Sequence, residues 1–101
     1  MELKNRKIEL FGTIWSIKYV DSLSDGDAQL YGITNPVDKV IYIAKNMNNT
    51  PIIKNELELT LLHELTHAIL MTGQYMEEND NEALVEWVAR CVYQLIKKNI
   101  I

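Results

Sequence analysis

Cysteine, histidine and long apolar runs are all scarce in this sequence of 101 residues. Cys91 is the only cysteine, so the chain cannot form an internal disulfide, which fits a reducing cytoplasm and excludes a disulfide-stapled secreted scaffold. No uncharged apolar run approaches the roughly 18 residues of a membrane span, and the charged N-terminus lacks the apolar block of a signal peptide. We therefore expect a cytoplasmic protein with no membrane partner.

Basic residues are fewer than acidic ones. The chain has 10 lysines and arginines and 14 aspartates and glutamates, so its net charge is −4. A nucleic-acid partner therefore has no electrostatic support. The length suffices for a single hydrophobic core but not for two. We predict one domain that spans residues 1–101.

Both histidines of the chain lie in one motif of the type H-E-x-x-H. On a helix this spacing places His63 and His67 one turn apart on the same face, where their ring nitrogens can hold one zinc ion. Glu64 lies three residues before His67, so its carboxylate would flank the metal as a catalytic general base. The alternative is a pair of helix histidines without a metal. The apolar residues around the motif favour the zinc site, because they predict a largely buried helix whose polar side chains need partners.

The rest of the chain predicts an α+β fold, in which a small, mainly antiparallel sheet of about three strands packs with the H-E-x-x-H helix and a C-terminal helix. Residues rich in β-branched and aromatic side chains predict one long strand at 8–20, bent at Gly12, and shorter strands at 28–34 and 40–44. The last of these precedes the metal helix and is a candidate for pairing with an extended peptide.

Two helices are predicted after the strands. Thr50 as N-cap and Pro51 in the first position predict the start of the metal helix, and Gly73 its end. A last helix at about 81–98 would be capped by Asn79 or Asp80. The apolar stripe expected to pack this helix on the first consists of Leu84, Trp87, Val88, Cys91 and Leu95.

A third zinc ligand should be a carboxylate, because no histidine is left and Cys91 lies on the apolar stripe. Glu82 and Glu86 offer two carboxylates one turn apart on the last helix. The alternative for both is a solvated helix face, with Glu82 in a capping box and Glu86 paired with Arg90. The other acids that could supply the ligand are Glu77, Glu78 and Asp80.

The combination of H-E-x-x-H and N-E-A-x-x-[DE] at residues 81–86 resembles the gluzincin metallopeptidases. The layout of residues 28–96 more closely resembles the ImmA/IrrE-like small metallopeptidases of phages and mobile elements, although it lacks their helix-turn-helix extension. The resemblance implies that Glu82 is the third zinc ligand. It also implies that Glu86 accepts the other ring N–H of His63 or His67.

The predicted function is that of a zinc-dependent metallopeptidase acting on a protein or peptide substrate, with a repressor or other regulator implied by the resemblance. Tyr75 is the candidate oxyanion donor, with Tyr93 and Arg90 as alternatives, although Tyr75 could simply pack its loop. One rival hypothesis is a non-catalytic protein-binding module of phage or mobile-element origin that retains the zinc site. Another is a metal-free interaction protein with a vestigial motif. Glu64 speaks against the binding module, since a structural site does not need a general base.

Overall fold

The computed structural model describes residues 2–101 and confirms the predicted α+β class. Local hydrogen bonding divides this part of the chain into eight strands and three helices. The strands are β1 (Arg6–Leu10), β2 (Thr13–Val20), β3 (Ser24–Asp25), β4 (Ala28–Gln29), β5 (Gly32–Asn35), β6 (Val40–Ala44), β7 (Asn46–Met47) and β8 (Thr50–Pro51). The helices are α1 (Lys54–Thr72), α2 (Met76–Asn79) and α3 (Glu82–Lys97).

The main sheet has four strands in the order β1-β2-β6-β5. The β1–β2 and β5–β6 pairs are antiparallel, whereas β2 and β6 are parallel, so the sheet is mainly antiparallel as predicted. The prediction of one long strand at 8–20 was wrong. Phe11 and Gly12 have φ angles of 52° and 85°, and this pair of left-handed residues forms a two-residue turn that folds the segment into a hairpin.

The start of the metal helix also differs from the prediction. Thr50 and Pro51 form β8, which pairs with β7, so they cannot serve as N-cap and first helical residue. The reason lies just upstream, where Asn48 and Asn49 both adopt positive φ angles and close a tight hairpin. Helix α1 therefore begins at Lys54. The segment predicted as one strand at 28–34 is likewise divided between β4 and β5.

The hydrophobic core lies between one face of the sheet and α1. On β2 the fully buried residues alternate, as expected when one face of a strand is covered, whereas four of the five residues of β6 are buried. Helix α1 contacts β5 and β6 on one side and α3 on another. The core residues are Trp15, Ile17, Ile41, Ile43, Leu61 and Ala68.

Helix α1 ends at Thr72, as Gly73 predicted, and it buries polar side chains along with apolar ones. Glu58, Glu64 and His67 are all buried. Glu58 accepts a hydrogen bond from the Tyr93 hydroxyl at 3.2 Å, and Lys97 lies 3.5 Å from it, so α3 satisfies this carboxylate. Among residues 2–101, none of the helices has the length and apolar character needed to cross a membrane.

Helix α3 packs on α1 through a different apolar stripe from the one predicted. Val85 and Ala89 are fully buried, whereas Leu84, Trp87 and Val88 are exposed. The helix is apolar on two adjacent faces, and helical spacing does not reveal which face the fold covers. The cap also differs from the prediction, because the Asn81 side chain, rather than Asn79 or Asp80, accepts a hydrogen bond from the Leu84 amide at 3.1 Å.

Candidate metal centre

Two histidines from α1 and one glutamate from α3 meet where these helices pack together. The rings of His63 and His67 lie with centroids 5.0 Å apart, as their spacing of one turn requires. The Nε2 atoms of His63 and His67 lie 3.1 Å and 3.0 Å from the two carboxylate oxygens of Glu82. Each of the three residues offers one donor atom, and these atoms lie within 4.8 Å of one another. The cluster could therefore hold a metal ion.

The chemistry of this donor set can be compared with that of known metal sites. Tetrahedral zinc with bonds of about 2.0–2.1 Å requires its ligand atoms to lie roughly 3.3 Å apart. The nitrogen–oxygen separations at Glu82 are within about 0.3 Å of that value, and the three donor atoms all lie within 4.8 Å of one another. Two imidazoles and a carboxylate suit zinc, and they also suit other first-row divalent ions. The residues present thus fit a transition-metal ion.

Each histidine has a second partner that orients its ring. Glu86 Oε2 lies 3.3 Å from His63 Nδ1. Asn79 Oδ1 lies 2.8 Å from His67 Nδ1, and Asn79 is buried. Amide and carboxylate oxygens accept hydrogen bonds, so Nδ1–H would be the donor in both contacts, and the Nε2 atoms face the Glu82 carboxylate. With Nδ1 as the donor, Nε2 is the atom of each ring that would bind a metal ion.

The sequence pattern predicted Asn79 to be a helix cap and gave no indication that this residue contacts a histidine. A single asparagine in a polar connector belongs to no periodic pattern that would reveal its partner. Its contact with His67 joins residues 12 positions apart in the chain. The one-turn helix α2 places the Asn79 side chain at the Nδ1 edge of the His67 ring.

Glu86 has two partners at once. Its Oε1 lies 3.2 Å from Arg90 Nε, although the geometry of that contact does not satisfy a hydrogen bond. Its Oε2 faces His63. Glu86 therefore lies next to both Arg90 and His63, because its two carboxylate oxygens point to different neighbours. The alternative of pairing with Arg90 does not exclude the contact with the histidine.

Glu64 is buried beside the histidines, and its carboxylate has a partner on the sheet. The Thr34 hydroxyl lies 2.7 Å from Glu64 Oε1 and donates to it. Burial raises the pKa of Glu64, while the Thr34 hydrogen bond and the neighbouring histidines oppose that rise. Thr34 lies on β5, and the sequence offered no signal for its contact with α1.

Strand β5 can approach α1 this closely because of Gly32. A Cβ atom at this position would lie 2.8 Å from Glu64 Cγ and 2.9 Å from Thr60 Cγ2, which is closer than real contacts allow. Gly32 therefore leaves room for the Glu64 side chain between helix and strand.

The cluster opens into a cleft of about 750 Å³ between β5, α1 and α3. The lining includes Glu64 and the three cluster residues together with Tyr31 and Arg90. Tyr75, the candidate oxyanion donor, is exposed and is not part of the lining. The Tyr93 hydroxyl instead contacts Asn55 and Glu58. Of the predicted candidates for an oxyanion donor, only Arg90 lines the cleft.

Comparison of the chain with protein-family models found no match, and comparisons with curated proteins and with solved structures found none either. The function must therefore be inferred from the geometry and chemistry of the centre.

Proposed function

We propose that this chain is a zinc-dependent metallopeptidase that hydrolyses peptide bonds of a protein substrate in the cleft beside the His63–His67–Glu82 cluster. The observation that carries the proposal is the position of Glu64. Its carboxylate is buried, hydrogen-bonded by Thr34 and part of the cleft wall next to both histidines. Burying a carboxylate costs free energy, and unlike Glu58, which is satisfied by α3, Glu64 lies in the wall of the cleft, where it can meet a water molecule or substrate.

Each residue of the centre has its own role in the proposed reaction. His63, His67 and Glu82 would hold the ion, which when bound would polarise the substrate carbonyl and acidify a water molecule. Glu64 accepts the proton of the attacking water and then delivers it to the departing amine. Thr34 keeps the Glu64 carboxylate in one orientation throughout, since its hydroxyl donates to one oxygen and leaves the other available.

Strand β5 offers a place for an extended substrate. It has β6 on one side only and forms the edge of the main sheet within residues 2–101, and Gly32, Ile33 and Thr34 line the cleft. A peptide added to this edge would run past the cluster. The prediction that β6 would bind the peptide was wrong, because β6 lies between β2 and β5 and both its edges are paired.

A non-catalytic binding module with a structural zinc site is the rival function. Structural zinc sites are almost always closed by four protein ligands, whereas catalytic sites have three and keep one position open. In the described part of the chain, the cluster consists of three residues and lies in an open cleft. This open position supports the enzyme over the binding module. The resemblance to ImmA/IrrE-like peptidases suggests a regulator or repressor as the substrate.

The proposal is tested by Glu64→Gln, which keeps the size of the side chain but cannot accept the proton. Zinc-loaded Glu64→Gln protein is used as bait to capture partners, and each captured partner is then incubated with wild-type protein. We expect the wild type to cut at least one partner and Glu64→Gln to cut it about 10²–10⁴-fold more slowly, with zinc content unchanged. Mass spectrometry of the fragments measures the rate.

Glu9→Gln is the matched control, because Glu9 is exposed on β1, outside the residues that line the cleft. This variant should cut at the wild-type rate. If zinc-loaded wild type leaves every captured partner intact, the peptidase function is contradicted and only the metal centre remains.

A further inference from the structure

Helix α3 has an apolar face that the fold leaves partly uncovered. Its buried face, with Val85 and Ala89, packs on α1. A second apolar face lies about 100° further round the helix. Trp87 is 65% exposed there, and Leu84 and Val88 are also exposed. The face, which we term the outer face of α3, consists of Leu84, Trp87, Val88, Cys91 and Leu95, of which the last two are half-buried.

The outer face has the spacing of a helix–helix seam. Leu84, Val88, Cys91 and Leu95 follow one another at intervals of four, three and four residues, which is the pattern of positions that meet a partner helix in a coiled coil. Exposed apolar residues that share one face of a helix are typical of an interaction site. The pattern therefore indicates that another helix covers this face.

Charges at the two ends of the seam identify the partner and its direction. Glu77, Glu78 and Asp80 precede α3 and are exposed, whereas Lys98 follows it and is exposed. Two such helices side by side attract each other at both ends when they are antiparallel, and they repel each other when they are parallel. The arrangement is self-complementary, as the interface of a two-fold dimer must be.

We propose that a second copy of this chain covers the outer face, with the two α3 helices antiparallel about a two-fold axis. The axis passes between Ala89 and Arg90, so that Leu84 lies opposite Leu95 of the partner subunit and Val88 lies opposite the partner's Cys91. Asp80 then lies near the C-terminal end of the partner helix, next to the partner's Lys98.

The dimer leaves the metal centre accessible. At 100° per residue, Glu86 lies about 160° around α3 from Val88, so the cleft and the outer face point to different sides of the helix. The inference is therefore independent of the proposed peptidase function and holds whether or not the centre is catalytic.

Sedimentation equilibrium of the metal-loaded full chain tests the dimer. We expect the wild type to pass from 11.7 kDa to twice that mass as concentration rises, with a dissociation constant in the roughly micromolar range that a small interface gives. Val88→Glu should weaken the dimer about 100-fold or more, because it places unpaired charges in the seam. Glutamate is a better helix former than valine, so α3 should persist, and circular dichroism checks this.

Val37→Glu is the matched control, because it makes the same chemical change at a site away from α3. Val37 is 87% exposed in the turn between β5 and β6. This variant should leave the dimer unchanged. A monomer at roughly 200 μM, where a micromolar dimer would be populated, overturns the proposal, and so does a dimer that Val88→Glu does not weaken.

A charge exchange tests the antiparallel arrangement. Lys98→Glu should weaken the dimer about 10-fold, because two symmetric contacts change at once. Adding Asp80→Lys should restore the affinity by reversing the attraction. If Lys98→Glu leaves the affinity unchanged, or if the double variant binds no better than Lys98→Glu alone, the proposed register is wrong.

Discussion

Asn79 accepts a hydrogen bond from Nδ1 of His67 at 2.8 Å, and both side chains are buried. The contact joins α2 to α1 and turns Nε2 of His67 towards Glu82. Without it, the buried ring could carry its proton on either nitrogen, and a ring with the proton on Nε2 cannot bind a metal ion through that atom. A residue outside the cluster therefore determines how the cluster can bind.

Replacing Asn79 should weaken metal binding even though Asn79 is not a ligand. We expect Asn79→Ala to lower the zinc affinity about 10–100-fold, the usual effect of losing a partner that orients a ligand histidine. Competition with a chromophoric chelator measures the affinity. Asn55→Ala serves as the control, because Asn55 is exposed and contacts Tyr93 rather than a histidine. Equal affinities for Asn79→Ala and wild type would contradict this role for Asn79.

Glu82 and Glu86 should differ in their effects on the metal. Glu82 faces the Nε2 atoms of both histidines, whereas Glu86 faces His63 Nδ1. Glu82→Gln should therefore abolish stoichiometric zinc, while Glu86→Gln should lower the affinity only about 10–100-fold. Zinc content after gel filtration, measured by mass spectrometry, separates the two outcomes.

Glu77→Gln and Glu78→Gln are controls for the loss of one negative charge near α3. Both residues are exposed on α2 and neither belongs to the cluster. They should keep wild-type zinc content. A larger loss with Glu86→Gln than with Glu82→Gln would reverse the roles of the two glutamates.

Removal of the metal should destabilise the fold. An ion that binds only the folded state adds roughly 4 kcal/mol when its concentration is 1,000-fold above the dissociation constant. For a domain of this length that corresponds to a fall of more than about 15 °C in melting temperature on chelation. Calorimetry with and without EDTA measures the shift. His67→Ala should melt at the same temperature in both conditions, and an equal EDTA effect on this variant would mean that the stabilising ion lies elsewhere.

The Thr34 hydroxyl should matter for both stability and catalysis. Thr34→Val keeps the shape of the side chain but removes the donor to Glu64. We expect a loss of about 1.5–3 kcal/mol in the free energy of unfolding, as for other hydrogen bonds to charged groups. Hydrolysis should fall roughly 10–100-fold because the Glu64 carboxylate loses its fixed orientation. Urea denaturation and the fragment assay give the two values.

Thr34→Ser restores the donor and should recover most of both losses. Thr13→Val, a change of the same kind at a half-buried position on β2, should affect hydrolysis little. If Thr34→Val cuts at the wild-type rate with zinc bound, Thr34 has only a structural role.

Local spacing by itself determined the parts of this protein that lie within one helix or one strand. His63 and His67 share a face because any α-helix places residues four apart one above the other. The apolar residues of β6 and the end of α1 at Gly73 follow from equally local rules, and both were predicted within a residue or two. The same rules failed at Phe11–Gly12 and Asn48–Asn49, where tight turns depend on backbone conformations that several residue types can adopt.

Only the tertiary structure decided which distant side chains meet. Glu82 and Glu86 lie one turn apart on α3, and the packing of α3 on α1 placed Glu82 at the Nε2 atoms of both histidines and Glu86 at Nδ1 of His63. Asn79 and Thr34 reach the centre from separate elements, through contacts that no periodicity encodes. The covered face of α3 was likewise set by packing. These outcomes depend on the burial of whole surfaces, to which residues far apart in the chain contribute together.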